Sequence, residues 1–333
     1  MTDTPIAGQR VLVTGADGFI GSHVVEQLVV AGANVTAMCI YNSNGSLGWL
    51  EERESQAYGH FQPVLGDIRD PEFIRDVVTG HDVVLHLAAL IAIPYSYLAP
   101  RSFVETNVTG TLNVLEACRS SDVRRMVNTS TSEVYGTPDE VPISENHKLK
   151  GQSPYSASKI AADKLAESYA LSFDLPVVTL RPFNTYGPRQ SSRAVIPTVI
   201  GQLLSGAQTI QLGSLSPKRD FTYVEDTAEG FVRMATAKLD PGSVVQLGTG
   251  TTFSIGETVE MCREIVGSSA VIGIDPERVR PSGSEVEILL SDPSLAKTLL
   301  GWEAQVSLRE GLEQVVAWMK DRGDFSNAGQ YQR

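Results

Sequence analysis

One short segment constrains this chain more than any other. Gly15-Ala16-Asp17-Gly18-Phe19-Ile20-Gly21 follows an apolar run, Arg10–Thr14, and opens a helical pattern that continues to Ala31. A strand that turns at once into a helix over glycines at this spacing has the form of a pyrophosphate-binding turn. Gly15 lets the backbone leave the strand sharply, Gly18 lets a phosphate approach the main chain, and Gly21 lets the helix pack closely on the sheet. The start of the helix, at Phe19 and Ile20, offers free N–H groups and a positive dipole end. An ordinary tight turn uses similar glycines, but the strand before and the helix after favour a bound dinucleotide.

The rest of the first 180 residues keeps that rhythm. Asn34–Ile40, Phe61–Leu65, Asp82–Leu87, Val123–Thr129 and Leu175–Arg181 are near-continuous Val/Leu/Ile runs, expected of strands covered on both faces. Between them lie helical patterns at about 18–31, 71–78, 101–120 and 155–173. The alternation predicts an α/β fold with a doubly wound parallel sheet of Rossmann type. After Arg181, Pro and Gly become frequent and the alternation loosens. The expected division is a dinucleotide-binding domain over 1–186, joined by a returning strand at about 243–249. Residues 187–242 and 250–333 would build a smaller mixed α/β substrate lobe, ending in a polar stretch from Asp321 to Arg333.

Composition narrows the partners. With 39 Asp+Glu against 27 Lys+Arg, the formal charge is -12, which leaves no broad basic surface for nucleic acid or an anionic membrane. The longest apolar stretch, Val83 to Ile93, is interrupted by His86 and falls well short of a membrane span of about 18 residues. The N-terminus, Met1 to Gln9, has no apolar signal core. Cys39, Cys118 and Cys262 stand far apart, and the five histidines show no ligand spacing. That argues against a disulfide framework and a metal site, and predicts a soluble cytoplasmic protein.

Candidate chemistry begins at the end of the second strand. Met38-Cys39-Ile40-Tyr41-Asn42 holds neither the acid that usually meets an adenosine ribose nor an arginine for a 2′-phosphate. Asn42 or Ser43 is then the expected ribose contact, and NAD is favoured over NADP. Asp67, before Ile68, either meets an adenine amino group or caps the helix that starts near Pro71. Tyr155 and Lys159 are four residues apart at the head of a long helical pattern, hence on one face. A phenol of pKa near 10 needs about 4 kcal/mol to act as a base near pH 7, and a nearby ammonium with a cationic nicotinamide supplies part of it. Ser130-Thr131-Ser132-Glu133 ends the preceding strand, where a doubly wound sheet presents its ligands.

Together these residues resemble the extended short-chain dehydrogenase/reductase family over almost the whole chain. The resemblance runs through Thr14 to Gly21, Gly66-Asp67, His86-Leu87-Ala88-Ala89, Asn107, Ser130 to Gly136, Tyr155/Lys159 and Arg181-Pro182-Phe183-Asn184. It implies that Tyr155 is the proton-transfer base, that Lys159 is its electrostatic partner and ribose anchor, and that Thr131 contacts the sugar O4. It also implies that Leu87, Ala88 and Ala89 line the nicotinamide and that Asn184 approaches the substrate phosphates. Thr131-Ser132-Glu133 is similar to the corresponding turn of nucleotide-sugar 4,6-dehydratases, in its GDP-mannose version. Sugar-nucleotide 4-epimerases usually have a small or apolar residue at the position of Glu133.

A dehydratase cycle gives that carboxylate a task. Oxidation at C4, with Tyr155 taking the O4 proton, acidifies C5–H, and Glu133 is the expected base there. The C6 hydroxyl then leaves as water, its proton coming from Glu133 directly or through Ser132, and hydride returns to C6. Alternatively Glu133 caps a turn or makes a structural ion pair. UDP-glucuronate decarboxylases also show Ser-Thr-Ser-Glu-Val-Tyr-Gly, but Ser156-Ala157-Ser158 between Tyr155 and Lys159 is similar to the dehydratases.

For the substrate, Arg219 stands in a segment resembling the family's diphosphate-clamping strand. Arg189, Arg193 and Arg280, with Glu285, are further candidates for the nucleotide diphosphate, since arginine pairs with phosphate through two parallel hydrogen bonds. Ser96, in Ile93-Pro94-Tyr95-Ser96-Tyr97, is the expected hydrogen-bond donor to the sugar. That segment, with Tyr41-Asn42-Ser43 and Gly48-Trp49-Leu50, resembles bacterial dehydratases acting on nucleotide-linked N-acetylglucosamine in legionaminic-acid pathways. The family also implies a homodimer through the helices at about 101–120 and 155–173, where Val104, Val108, Leu112 and Leu115 fit one face.

Overall fold

The structure is a computed structural model and describes residues 6–53, 60–323 and 325; most of the polar C-terminal stretch lies outside them. Its frame is a seven-stranded sheet. The strands are β1 (Arg10–Thr14), β2 (Asn34–Ile40), β3 (Gln62–Gly66), β4 (Val83–His86), β5 (Arg125–Thr129), β6 (Val177–Pro182) and, far along the chain, β11 (Val244–Leu247). They lie in the order β11-β6-β5-β4-β1-β2-β3, every neighbour parallel. Strand order reverses beside β1, because the chain passes from β3 at one edge to β4 on the other flank. That reversal opens the crevice at the carboxyl ends of β1 and β4, where such sheets bind ligands.

Helices cover both faces. α1 (Phe19–Val30) packs with Val11, Val13, Leu85 and Val127 on one side. On the other, α2 (Pro71–Val78) meets Leu12, Val84 and Met126. α3 (Ile93–Leu98) and α4 (Pro100–Phe103) follow β4, and α4 runs through a π-helical turn, Val104–Thr109, into α5 (Gly110–Arg119). The expected single helix is therefore broken in register. Val104 is exposed while Leu115 is wholly buried, so the four apolar positions do not share one face. The extra residue of a π-turn rotates the helix beyond it, and here the turn directs Asn107 inward.

α6 (Pro154–Phe173) has the most complete start: Ser153 and Ser156 form a reciprocal capping box and Pro154 occupies the first turn. The lobe is assembled from β7 (Asn184–Tyr186), α7 (Val195–Leu204), β8 (Thr209–Leu212), β9 (Lys218–Arg219), β10 (Phe221–Tyr223), β12 (Phe253–Ser254), α9 (Ile255–Val266), β13 (Val271–Ile274), β14 (Ile288–Leu289) and α11 (Leu308–Arg322). It has its own core around Tyr186, Ile200, Tyr223, Val259 and Leu312. α8 (Val224–Thr236) and α10 (Ser294–Leu300) belong to the core beneath the sheet, so the chain leaves the lobe twice to complete the first half.

Candidate active site

The glycine turn has the geometry its sequence predicts. Gly15 has φ +69°, and a Cβ there would lie 2.8 Å from the Ala88 backbone, so the turn and the end of β4 touch main chain to main chain. Gly21 packs not on the sheet but on the turn itself, where a Cβ would stand 2.1 Å from the Gly15 carbonyl oxygen. α1 starts at Gly18 with no side-chain cap and no acid in its first turn, leaving its N–H groups directed at an incoming anion. These features fit a dinucleotide pyrophosphate. Leu87, Ala88 and Ala89 are half-buried beside the turn at the end of β4, and Thr14 Oγ1 accepts a hydrogen bond from the Ala88 N–H.

Two expectations on the adenosine side change. Asn42 is committed to its own loop: its amide donates to the Ile40 and Ser46 carbonyls and accepts from the Asn44 and Ser46 N–H groups. A short side chain that closes a turn on itself has no donor or acceptor left for a ribose. Asp67 does not cap α2; Asp70 does, accepting from the Glu72 and Phe73 N–H groups. Asp67 instead holds the Arg69 fork, Nη2 at 2.5 Å, beside the buried Ile68. That ion pair holds the Asp67 carboxyl below its usual range.

The Tyr155–Lys159 pair is buried. Tyr155 packs on Phe103, and Lys159 reaches the Thr129 carbonyl at the end of β5. Burial pushes the Tyr155 phenol above its usual range; a hydrogen bond with Thr131 works against this, while the charges of Glu133 and Asp163 add to it. Burial lowers Lys159 to about 8, opposed by Asp163. The pair is thus a protonated phenol beside an ammonium close to its titration, and forming phenolate requires positive charge brought into the cleft.

Thr131 caps the short helical turn Ser132–Tyr135 by accepting from the Glu133 N–H. Ser132 is buried, and Glu133 is half-buried with its charge felt by Tyr155 on one side and Arg219 on the other. Arg219 is buried in β9 and donates to the Val286 carbonyl at 2.7 Å and to Glu285 at 3.0 Å. Arg280 approaches the same Glu285 oxygen at 3.5 Å. Two arginines therefore converge on one carboxylate at the lobe side of the cleft. The Asn184 Oδ1 is buried without a hydrogen-bond partner among the described residues. Such an orphan costs about 1–3 kcal/mol, which a ligand hydroxyl can recover.

Other substrate candidates are elsewhere engaged. Arg189 is buried and ion-paired to Glu26 at 2.6 Å, with a further hydrogen bond to Ser22, so it ties the lobe to α1 instead of facing the cleft. The Ser96 hydroxyl turns into its own helix and donates to the Ile93 carbonyl. Its neighbour Tyr97 makes the tertiary contact, 2.6 Å from the Ser284 hydroxyl in the loop between Arg280 and Glu285. Arg193 is exposed just ahead of α7.

The structure also assembles groups to which the sequence assigned no role. His86 Nε2 donates to Thr111 Oγ1, whose own proton goes to the Asn107 carbonyl, so His86 Nδ1 accepts from Thr14. His86 is a neutral imidazole, lowered to about 3 by burial and by Lys159. Asn107 satisfies both backbone groups of Leu90 and donates to Ser158, holding the segment after β4 to α6. Asp163 is buried against Ser130, Asn128 and Arg181. Its spacing, four residues after Lys159, is the one signal in the sequence that could have shown it.

A parallel sheet with an uncapped glycine turn at its switch point, a Tyr-Lys pair and two arginines meeting at Glu285 defines an extended short-chain dehydrogenase/reductase. A family model described as GDP-mannose 4,6 dehydratase matches residues 12–315, and the chain belongs to that family. It is 33% identical to a dTDP-glucose 4,6-dehydratase of an Actinoplanes species, over 93% of this chain and 98% of that one. It is equally 33% identical to a UDP-glucose 4-epimerase of Mycolicibacterium smegmatis, over 94% of this chain and 99% of that one. Among solved structures it is similar to the dTDP-glucose 4,6-dehydratase DesIV of Streptomyces venezuelae, which has NAD and TYD bound. That likeness has a TM-score of 0.86 and 29% identity, and covers 94% and 97% of the two chains. The family is one of nucleotide-sugar dehydratases and epimerases.

Proposed function

We propose that this chain is a nucleotide-sugar 4,6-dehydratase that keeps NAD bound and yields a 4-keto-6-deoxy sugar nucleotide. The observation that carries the reading is Glu133, a half-buried carboxylate on the short turn that Thr131 caps just beyond β5. A hexose held at its diphosphate by Arg219 and Arg280, with O4 at Tyr155, has its C5–C6 edge toward the turn that carries Glu133.

The glycine turn, α1 and the Leu87–Ala89 segment would hold the dinucleotide, which when bound would supply the hydride acceptor for C4 oxidation and the hydride donor for C6. Tyr155 takes the O4 proton, helped by the Lys159 ammonium and oriented by Thr131. Glu133 removes the C5 proton once C4 is a ketone, and Ser132 relays a proton to the departing C6 hydroxyl. Asn184 meets a substrate hydroxyl. The absence of any arginine or lysine from Tyr41 to Glu51 favours NAD over NADP. The resemblance of Ile93–Tyr97 to amino-sugar dehydratases supports a GDP- or UDP-linked N-acetylglucosamine as substrate. A cytoplasmic homodimer goes with this reading, Val104, Leu171 and Phe173 being exposed on the helices expected to pair.

A second reading, 4-epimerisation, is favoured by the epimerases among the relatives. Mass spectrometry of purified protein with UDP- and GDP-linked glucose, mannose, N-acetylglucosamine and glucuronate separates them. Dehydration removes about 18 mass units, decarboxylation of the glucuronate about 44, and epimerisation none, by the stoichiometry of each reaction. Glu133→Gln should slow exchange of C5 hydrogen with solvent about 100-fold or more; unchanged exchange would remove Glu133 from the mechanism.

A further inference from the structure

We propose that Asp163 is a positioning residue for the proton transfer at Tyr155: from behind the pair it locks the Thr131–Glu133 turn to α6 and sets a buried carboxylate one helical turn beyond Lys159. This rests on the reading of Tyr155 and Lys159 given above.

The geometry is one of convergence. Tyr155, Lys159 and Asp163 follow one another at four-residue intervals on α6, so all three lie along one face, about 6 Å apart per step. Asp163 is buried, and its two oxygens accept three hydrogen bonds from two adjacent strands. Ser130 Oγ donates at 2.7 Å and Asn128 Nδ2 at 3.3 Å from β5 and its end, and Arg181 Nε at 3.1 Å from β6. Ser130 directly precedes Thr131, Ser132 and Glu133. One carboxylate thus joins the helix bearing Tyr155 and Lys159 to the turn bearing the other proposed reacting groups.

The charge is held as firmly as the position. Arg181 is fixed by donating to the Tyr135 hydroxyl at 3.2 Å and the Glu145 carbonyl at 3.3 Å, and its guanidinium lies over the Tyr135 ring. Tyr135 is in turn anchored to Gln246 on β11. The groups that face Lys159 are Asp163 from α6, the neutral His86 from β4 and the Thr129 carbonyl from β5, with Tyr155 one helical turn away on the same face of α6. Arg181 from β6 and Glu145 act one step removed, through Asp163. Asp163 is therefore the anion that counters the burial of Lys159. Without it, burial alone favours the neutral amine, which cannot stabilise a phenolate.

The test is a direct titration of Lys159 by NMR in protein carrying lysine labelled with carbon-13 at Cε, the resonance being assigned by its loss in Lys159→Arg. Asp163→Asn should move the midpoint from about 8 downward by about one unit or more. Asp163→Glu should restore it, and the alkaline limb of turnover should move by the same amount. An unchanged midpoint in folded Asp163→Asn, or a midpoint that stays low in Asp163→Glu, would overturn the proposal. Should Asp163→Asn leave Arg181 unpaired and fail to fold, the double variant Asp163→Asn/Arg181→Gln removes both charges and is titrated in the same way. The titration needs no substrate, so it stands even where Tyr155→Phe keeps full activity and the assignment of the base fails.

Discussion

The sheet side of the cleft presents main chain and short side chains, whereas the lobe side presents charges already paired with one another. At the glycine turn, Gly15 meets Ala88 backbone to backbone and α1 leaves its N–H groups open. Across the cleft, Arg219 and Arg280 share Glu285. A wall of fixed dipoles binds without rearranging, while a wall of ion pairs must exchange a carboxylate for a ligand. The first suits a cofactor retained through the reaction, and the second a substrate that comes and goes.

Removing the proton acceptor between the two walls should have the largest effect. Tyr155→Phe is expected to lower kcat by about 100- to 10,000-fold while leaving cofactor content, read from absorbance after denaturation, unchanged. A kcat within threefold would show that neither wall presents substrate to Tyr155.

The sheet side should also fail first in acid. His86 has a folded value of about 3, below the ordinary value near 6.5 that the unfolded chain adopts. The unfolded state therefore binds the extra proton between these limits. The stability that His86 contributes is whole above pH 6.5 and is lost as pH falls toward 3, on the order of 5 kcal/mol over the full window. Denaturant melts across that range should show a steeper fall for the wild type than for His86→Gln. Equal slopes would mean that His86 is not held neutral.

On the lobe side, Arg219→Leu should raise KM about 10- to 100-fold, as expected for loss of a charge-assisted contact of about 1.5–3 kcal/mol. Because Glu285 then keeps only Arg280, Glu285→Gln in that background should recover little. A change confined to kcat would place Arg219 outside diphosphate binding. The smallest effect is expected at Asn42. Asn42→Ala should cost about 1 kcal/mol of stability through its loop and leave affinity for adenosine-containing ligands, measured by calorimetry, within twofold. A tenfold loss would restore Asn42 to the ribose.

Most of the sheet was legible because its signals are local. Arg10–Thr14, Asn34–Ile40 and Pro71–Val78 appear with the limits their residue patterns predict, since apolar runs and an Asp-Pro helix start act over a few residues. The helix near 101–120 was legible only as a helix. Its π-turn at Val104–Thr109 depends on Asn107 finding Leu90 and Ser158, which lie 17 and 51 residues away. Of the two readings of Asp67, the helix cap falls away because Asp70, three residues on, takes the same helix end.

By itself, then, the sequence determined the doubly wound sheet, the pyrophosphate turn and the Tyr155–Lys159 face, each set by spacing along one element. Only the tertiary structure decided which charges work together. Arg189 and Arg219 are both buried arginines of the second half, yet one braces α1 at Glu26 and the other meets Glu285 in the cleft. Asp163 likewise acquires its partners from two strands. Ion pairs between distant segments carry no periodicity for a sequence to display, because which charges meet depends on how the chain folds back on itself.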